Sequence, residues 1–190
     1  MNSQEKATNQ ETISDGLNIK TTLELELRVM KQLVIIFKRS CHATAKTIQK
    51  DLDFTDARLE EMEPAVNAGN YLSMGRKLSN VQTEFDMVNR VYKVVSCEVK
   101  IQIRAFQKII DDIEPKPNEQ SKQNAMAQMN NIKTPVAQYM DYHKTALEKC
   151  LHLSTALVED IELAVWREKK KQKKVRNKKY YIGTFDTVDE

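Results

Sequence analysis

Residues 167–179 form the segment of the chain with the clearest binding chemistry. Nine of these thirteen residues are Lys or Arg and one is Glu. The cations are Arg167, Lys169, Lys170, Lys171, Lys173, Lys174, Arg176, Lys178 and Lys179. Such a cluster binds polyanions, because each contact with a phosphate releases counterions and each cation contributes about 1 kcal/mol near an anionic membrane. We expect nucleic acid, anionic lipid or an acidic protein as the ligand; the alternative is a terminus that only aids solubility.

The positive charge of the chain is confined to this segment. The whole chain carries +3, whereas residues 1–166 stand near −2 and residues 180–190 contain three acids and no cation. The basic character is therefore a local feature and does not belong to the rest of the protein.

The last residues, 180–190, are aromatic and then acidic, and we predict that they are flexible. Phe185 and Val188 are spaced as in the short aromatic-x-x-aliphatic motif that autophagy adaptors use, which this segment resembles. Such a motif docks by adding a strand to a partner sheet, with its two apolar side chains in pockets. The alternative is a terminus without a binding role.

Residue types that support catalysis or metal binding occur without a matching pattern. Cys41, Cys97 and Cys150 show no C-x-x-C spacing and suit reduced thiols that pack as small apolar side chains. No Ser-His-acid arrangement, glycine-rich phosphate loop or paired-histidine motif occurs in the sequence. We therefore expect no catalytic residues, no metal and no cofactor. His143 lies on an apolar row, where it could be a pH-sensitive core residue or, alternatively, a histidine that is either partly exposed or hydrogen-bonded.

The distribution of glycine and proline indicates long helices. Four Gly and four Pro are grouped so that residues 17–63, 76–114 and 136–182 contain neither. This pattern excludes folds that turn every 8 to 20 residues, such as a β-sandwich or a Rossmann-type sheet.

Apolar residues recur at alternating steps of three and four within these segments, as in a heptad repeat. The row is purest in the second segment, and we expect it to contact a partner helix or a second copy of the chain. This candidate seam consists of Leu78, Val81, Phe85, Val88, Tyr92, Val95, Val99 and Phe106.

The predicted fold is all-α: an elongated antiparallel bundle of three long helices plus a short fourth, with coiled-coil-like heptad packing. We expect a disordered polar arm over residues 1–20 and a bundle over 21–166, followed by a basic helical extension over 167–179. Thr134-Pro135 is interpreted as a helix start, with threonine as cap and proline at the first helical position. The predicted helices span about 22–63, 72–113, 121–132 and 135–176.

The expected function is that of a non-enzymatic adaptor, scaffold or subunit of a multiprotein assembly. The outline resembles spectrin-type and BAR-type rods in shape alone, which does not define a function. A membrane-associated BAR-like or tethering rod that binds anionic lipid through the basic segment is the alternative. The polar first residues and the absence of a long apolar run favour a cytoplasmic or nuclear protein.

Overall fold

The fold is all-helical, as the sequence predicted. The computed structural model describes residues 3–62, 68–114 and 117–183, with side chains over 18–62, 69–114 and 117–175. The helices are α1 (Ser3–Met62), α2 (Ala68–Asp111) and α3 (Glu119–Gly183). No strand occurs within the described ranges. Asn118 caps α3, since its side-chain Oδ1 accepts a 2.7 Å hydrogen bond from the free backbone N–H of Ser121.

The chain divides into two compact units. Unit 1 consists of Met1–Ala43 and Val88–Ala146, and unit 2 consists of Thr44–Met87 and Leu147–Glu190. Each helix thus contributes one segment to each unit, and each unit has its own core.

The core of unit 1 is built from one apolar row on each of the three helices. The buried side chains are Leu23, Leu27, Met30 and Val34 on α1, Val95, Val99, Phe106 and Ile110 on α2, and Ala125, Met129, Ile132 and Val136 on α3. Within each row the steps are mostly three and four residues, which places the side chains on one face of a helix. Full burial of a large apolar side chain contributes about 1.5 to 3 kcal/mol, so these rows dominate the stability of the unit.

Two contacts between α1 and α3 set the direction of the helices in unit 1. The Glu26 carboxylate lies 2.6 Å from the Lys133 ammonium, and the Phe37 ring lies 5.9 Å from the ring of His143. From the first contact to the second, the residue number rises on both helices, so α1 and α3 run parallel in this unit.

Unit 2 has a core of the same type, and α2 and α3 run antiparallel within it. Its buried apolar residues include Ile48, Leu52, Leu59, Met62, Leu78, Val81, Phe85, Leu147, Cys150, Leu157 and Ile161. Lys77 pairs with Asp160 at 2.6 Å, and Glu84 pairs with Lys149 at 3.5 Å. From the first ion pair to the second, the residue number rises on α2 and falls on α3, as expected for antiparallel helices.

A polar contact interrupts the apolar rows of unit 2. Ser154, which is fully buried, donates a 2.8 Å hydrogen bond from Oγ to Oδ2 of Asp51. Thr55 is also buried, and its Oγ1 donates to the backbone carbonyl of Asp51 at 2.7 Å. These bonds satisfy hydroxyl groups that would otherwise be costly to bury.

The candidate seam on α2 is occupied by the chain itself. Six of its members are buried, while Val88 and Tyr92 are half-buried. The buried members are Leu78, Val81, Phe85, Val95, Val99 and Phe106. A partner helix could reach this row only by displacing a helix of the same chain.

The predicted short fourth helix, over 121–132, is not a separate element. It forms one continuous α3 with the predicted helix 135–176, and Pro135 lies in the interior of α3. Proline removes one backbone hydrogen bond and crowds the preceding turn. Burial of Ile132 and Val136 on either side of it, in one uninterrupted row, offsets that cost.

The helices also extend beyond their predicted ends. α1 begins at Ser3, so the arm predicted to be disordered over residues 1–20 is helical from that residue onward. Glu, Gln, Lys and Ala in this stretch are good helix formers, and the single Gly16 costs only about 1 kcal/mol. At the other end, α3 runs through the basic segment to Gly183.

The Pro135→Ala substitution should raise the free energy of unfolding by about 1 to 3 kcal/mol, because it restores a backbone hydrogen bond and removes a steric conflict within α3. Urea unfolding followed by circular dichroism measures the change. Thr134→Ala is the control and should be close to neutral. If a helix instead began at this point, Thr134→Ala would cost about 1 kcal/mol through loss of the cap, and Pro135→Ala would not stabilise.

Candidate functional site

The basic segment is an uncovered stretch of α3. Before it, Arg58 of α1 lines a shallow groove together with Trp166 and Lys169 of α3, and α1 ends at Met62. Every side chain from Lys169 to Val175 is exposed. From Lys169 onward the segment therefore continues as a helix whose described side chains are exposed, whereas Glu168 near its start is half-buried.

The cations occupy the positions that do not continue the buried row of α3. Steps of three and four from Ile161 lead through Glu168 to Gln172 and Val175, none of which is a cation. The six described cations fill the remaining positions of these turns: Arg167, Lys169, Lys170, Lys171, Lys173 and Lys174. One broad face of the helix is thus positive. The side chains of Arg176, Lys178 and Lys179 lie outside the described residues, although the backbone there is helical.

An exposed tryptophan lies at the start of this positive face. The side chain of Trp166 is 55% exposed, and the Lys170 ammonium lies 4.7 Å from its ring centre in a cation–π contact. Lys171 forms an ion pair with Glu168 at 2.6 Å. This exposed pair is worth little in water, so Lys171 can exchange it for an external anion at small cost.

The two residues of the short C-terminal motif, Phe185 and Val188, lie outside the described residues. The prediction of a docking motif there is therefore neither supported nor opposed by the structure.

A second polar feature of unit 1 is a cluster of three rings, one from each helix, in which His143 is buried and the other two rings are half-buried. Tyr92 of α2 lies 5.0 Å from His143 of α3 and 6.2 Å from Phe37 of α1, measured between ring centroids. His143 is only 1% exposed, and its Nδ1 atom is buried without a hydrogen-bond partner. The imidazole therefore packs as an aromatic side chain with one unsatisfied polar atom.

Burial keeps the titratable groups of this cluster neutral. It lowers the pKa of His143 below its ordinary value of 6.5. It raises the pKa of the Cys41 thiol to about 11. The pKa of Tyr92 is also raised, first by burial and then by the neighbouring Cys41. A nucleophilic cysteine needs a lowered pKa, so burial here does not activate the Cys41 thiol.

The sequence placed His143 and Tyr92 on apolar rows but did not bring them together. Their meeting depends on how far α2 and α3 are shifted along one another, and the repeating steps of three and four are compatible with several shifts. The available signal was the presence of His143 and Tyr92 on rows that are otherwise apolar, because polar side chains at buried positions are uncommon.

No protein-family model, curated protein or solved structure matches the chain. None of the described helices is long and apolar enough to cross a membrane. Over the same residues, no three His, Cys, Asp or Glu side chains come together as metal ligands would. Function must therefore be inferred from the exposed surfaces of this chain and their charges.

The ring cluster predicts that the protein loses stability in mild acid. Because the pKa of His143 is lower in the folded state than its unfolded value near 6.5, the unfolded state binds the proton more tightly. Stability should be constant well above pH 6.5 and should fall below it, by up to about 1.4 kcal/mol per pH unit. Urea unfolding between pH 7.5 and pH 5 measures this dependence.

His143→Phe should remove that part of the pH dependence, since it keeps an aromatic ring in the cluster and removes the proton-binding nitrogen. The exposed His152 provides a matched control as His152→Gln, which should leave the wild-type dependence in place. An unchanged pH profile in the His143→Phe protein would contradict the assignment.

Proposed function

We propose that the protein is a non-enzymatic interaction protein, a helical adaptor or subunit of a larger assembly. Its helices pack in a coiled-coil-like manner, and its basic C-terminal segment binds a polyanion. The observation that supports this proposal is the continuation of α3 into a helix whose described cations are all exposed.

Electrostatics favours this role for the segment. Cations placed on successive turns repel one another, and binding to a polyanion relieves the repulsion while releasing counterions. Helical structure already present before binding reduces the entropy that must be lost on association. Residues 1–166 are close to neutral, so attraction to the polyanion is directed to one end of α3.

The remaining polar clusters fit an adaptor better than an enzyme. In the ring cluster, His143 is buried and the half-buried Phe37 and Tyr92 pack against it. Ser154 is fully buried as well and is engaged with Asp51. These groups are used for packing, whereas the exposed features are charges and apolar side chains typical of binding surfaces.

A membrane-associated, BAR-like or tethering role is the second candidate, and Trp166 is the observation that favours it. Tryptophan prefers the interface between membrane and water, and here it precedes lysines on the same positive face. Since residues 1–166 stand near −2, contact with anionic lipid would be made by the basic segment and not along the whole protein. A cytoplasmic or nuclear location is part of the proposal, because such a segment can also serve as a nuclear-import signal.

Replacing Lys169, Lys170, Lys171, Lys173 and Lys174 by Ala should weaken polyanion binding by more than about tenfold, because each cation contributes about 1 kcal/mol near an anionic surface. Two probes are titrated separately at fixed salt: vesicles containing phosphatidylserine, and a double-stranded DNA oligonucleotide. A matched control replaces five exposed lysines elsewhere by Ala and changes the net charge equally: Lys46, Lys50, Lys93, Lys100 and Lys108.

The control protein should retain nearly all of the binding. Equal losses in both proteins would mean that net charge alone is responsible, and would overturn the assignment to residues 167–179. Trp166→Ala separates the two candidate functions, since it should weaken vesicle binding but leave DNA binding nearly unchanged if the lipid role holds. A fluorescent fusion that leaves the nucleus when the five segment lysines are replaced would support the nuclear role.

A further inference from the structure

The lysines of the basic segment have few acidic partners in the part of the chain that the structure describes. Lys171 pairs with Glu168 at 2.6 Å. Lys169, Lys173 and Lys174 are exposed, and none of them is paired with a carboxylate of the described residues. These three ammonium groups can therefore accept an acidic partner without first losing another one.

The chain supplies acidic residues soon after these cations. Residues 167–179 contain nine cations and one acid, which gives a net charge of +8. Residues 180–190 contain Asp186, Asp189 and Glu190 and no cation, which gives −3. At physiological salt, opposite charges attract one another over a range of about 8 Å. The two segments are therefore complementary in charge and adjacent in the sequence.

The acidic residues can reach back along the positive face of α3. This helix ends at Gly183, and glycine accepts the range of backbone angles that a reversal of the chain requires. The seven residues after Gly183 span at most about 25 Å when extended. The ten residues from Lys173 to Gly183 rise only about 15 Å along the helix. Asp189 and Glu190 can thus meet Lys173 and Lys174 after a reversal.

We propose that residues 184–190, which we term the acidic segment, fold back onto the basic segment and compete with its polyanion. In this contact, the carboxylates of Asp189 and Glu190 pair with the ammonium groups of Lys173 and Lys174. The inference deepens the proposed function by naming how the site is regulated. It rests on that function, because the contact regulates nothing unless the basic segment binds a polyanion.

The expected contact is weak and reversible. Exposed ion pairs contribute little individually, although coverage of Val175, which is 58% exposed, by Val188 would add an apolar contact. Three acids can neutralise at most three of the nine cations, so six remain for a polyanion. The acidic segment should therefore reduce the affinity for a polyanion severalfold without abolishing it, and a ligand with many phosphates can displace it.

Pairing within one chain is favoured over pairing between two copies. A short connection gives the acidic segment an effective concentration in the millimolar range around the cations of its own chain. Binding measurements at micromolar protein offer a second copy at a far lower concentration. A contact of this strength is therefore formed within the chain.

Energy transfer from Trp166, the only tryptophan of the chain, measures the contact directly. An acceptor dye is attached at Thr187→Cys in the full chain with Cys97→Ser, since Cys41 and Cys150 are buried. A folded-back acidic segment brings the dye to about 20 Å from the indole, whereas a segment that points away places it up to about 40 Å from it. We expect efficient transfer at low salt and weaker transfer at high salt.

Neutralising the acidic segment, as Asp186→Asn, Asp189→Asn and Glu190→Gln combined, should lower the transfer efficiency. In the unlabelled chain it should raise the affinity for a double-stranded DNA oligonucleotide about threefold, because the cations no longer have an internal competitor. The matched control changes the net charge equally at three exposed acids elsewhere: Glu24→Gln, Asp56→Asn and Asp86→Asn. The control should keep the wild-type transfer efficiency and nearly the wild-type affinity.

Two results would overturn the proposal. The first is a transfer efficiency that neutralising the acidic segment leaves unchanged, or an equal gain in DNA affinity in the neutralised protein and its control. The second is transfer that disappears when labelled protein is mixed with an excess of unlabelled protein, since this would assign the contact to a second copy. Failure of the proposed function gives a different pattern: neither the wild type nor the neutralised protein binds DNA or anionic vesicles, while transfer still responds to neutralisation. That pattern would support the contact and remove its role in regulation.

Discussion

The structure depends on the burial of one apolar row along each helix. The row must recur at steps of three and four residues so that its side chains stay on one face, and the most deeply buried members include Phe106 in unit 1 and Ile161 in unit 2. Apolar rows alone do not define how far helices are shifted along one another, because each step of the repeat is a possible register. Polar contacts between helices are made in the observed register: Glu26 with Lys133 in unit 1, and Asp51 with Ser154 in unit 2.

A polar residue in a buried row can lower the stability of the fold. His143 contributes two ring contacts but leaves Nδ1 unsatisfied, which costs about 1 to 3 kcal/mol relative to a satisfied nitrogen. An apolar side chain of similar size would avoid this cost.

The all-helical fold and most members of the buried rows could be predicted from residue spacing, because spacing is a local property of one helix. Two differences from the predicted helices have separate causes: α3 continues through Pro135 because a buried row runs uninterrupted across it, and α1 extends back through Gly16 because the residues around it are good helix formers. Residue spacing alone could not assign a neighbour to the candidate seam on α2. A row such as Val95 and Val99 has the same pattern whether its neighbour belongs to the same chain or to another one.

The exposure of the basic segment has the same cause, because the apolar row that α3 buries ends where this segment begins. At Glu168 the position that continues the buried row becomes an acid, followed by Gln172 and then by a single apolar residue, Val175. A helix without an apolar row gains nothing by packing on its neighbours, and burying its lysines would be costly. The helix therefore continues in solvent, with its cations held on successive turns. Because these residues contribute little to the core, a ligand that binds them does not compete with folding, and the segment can acquire or lose affinity without a cost to the stability of unit 2.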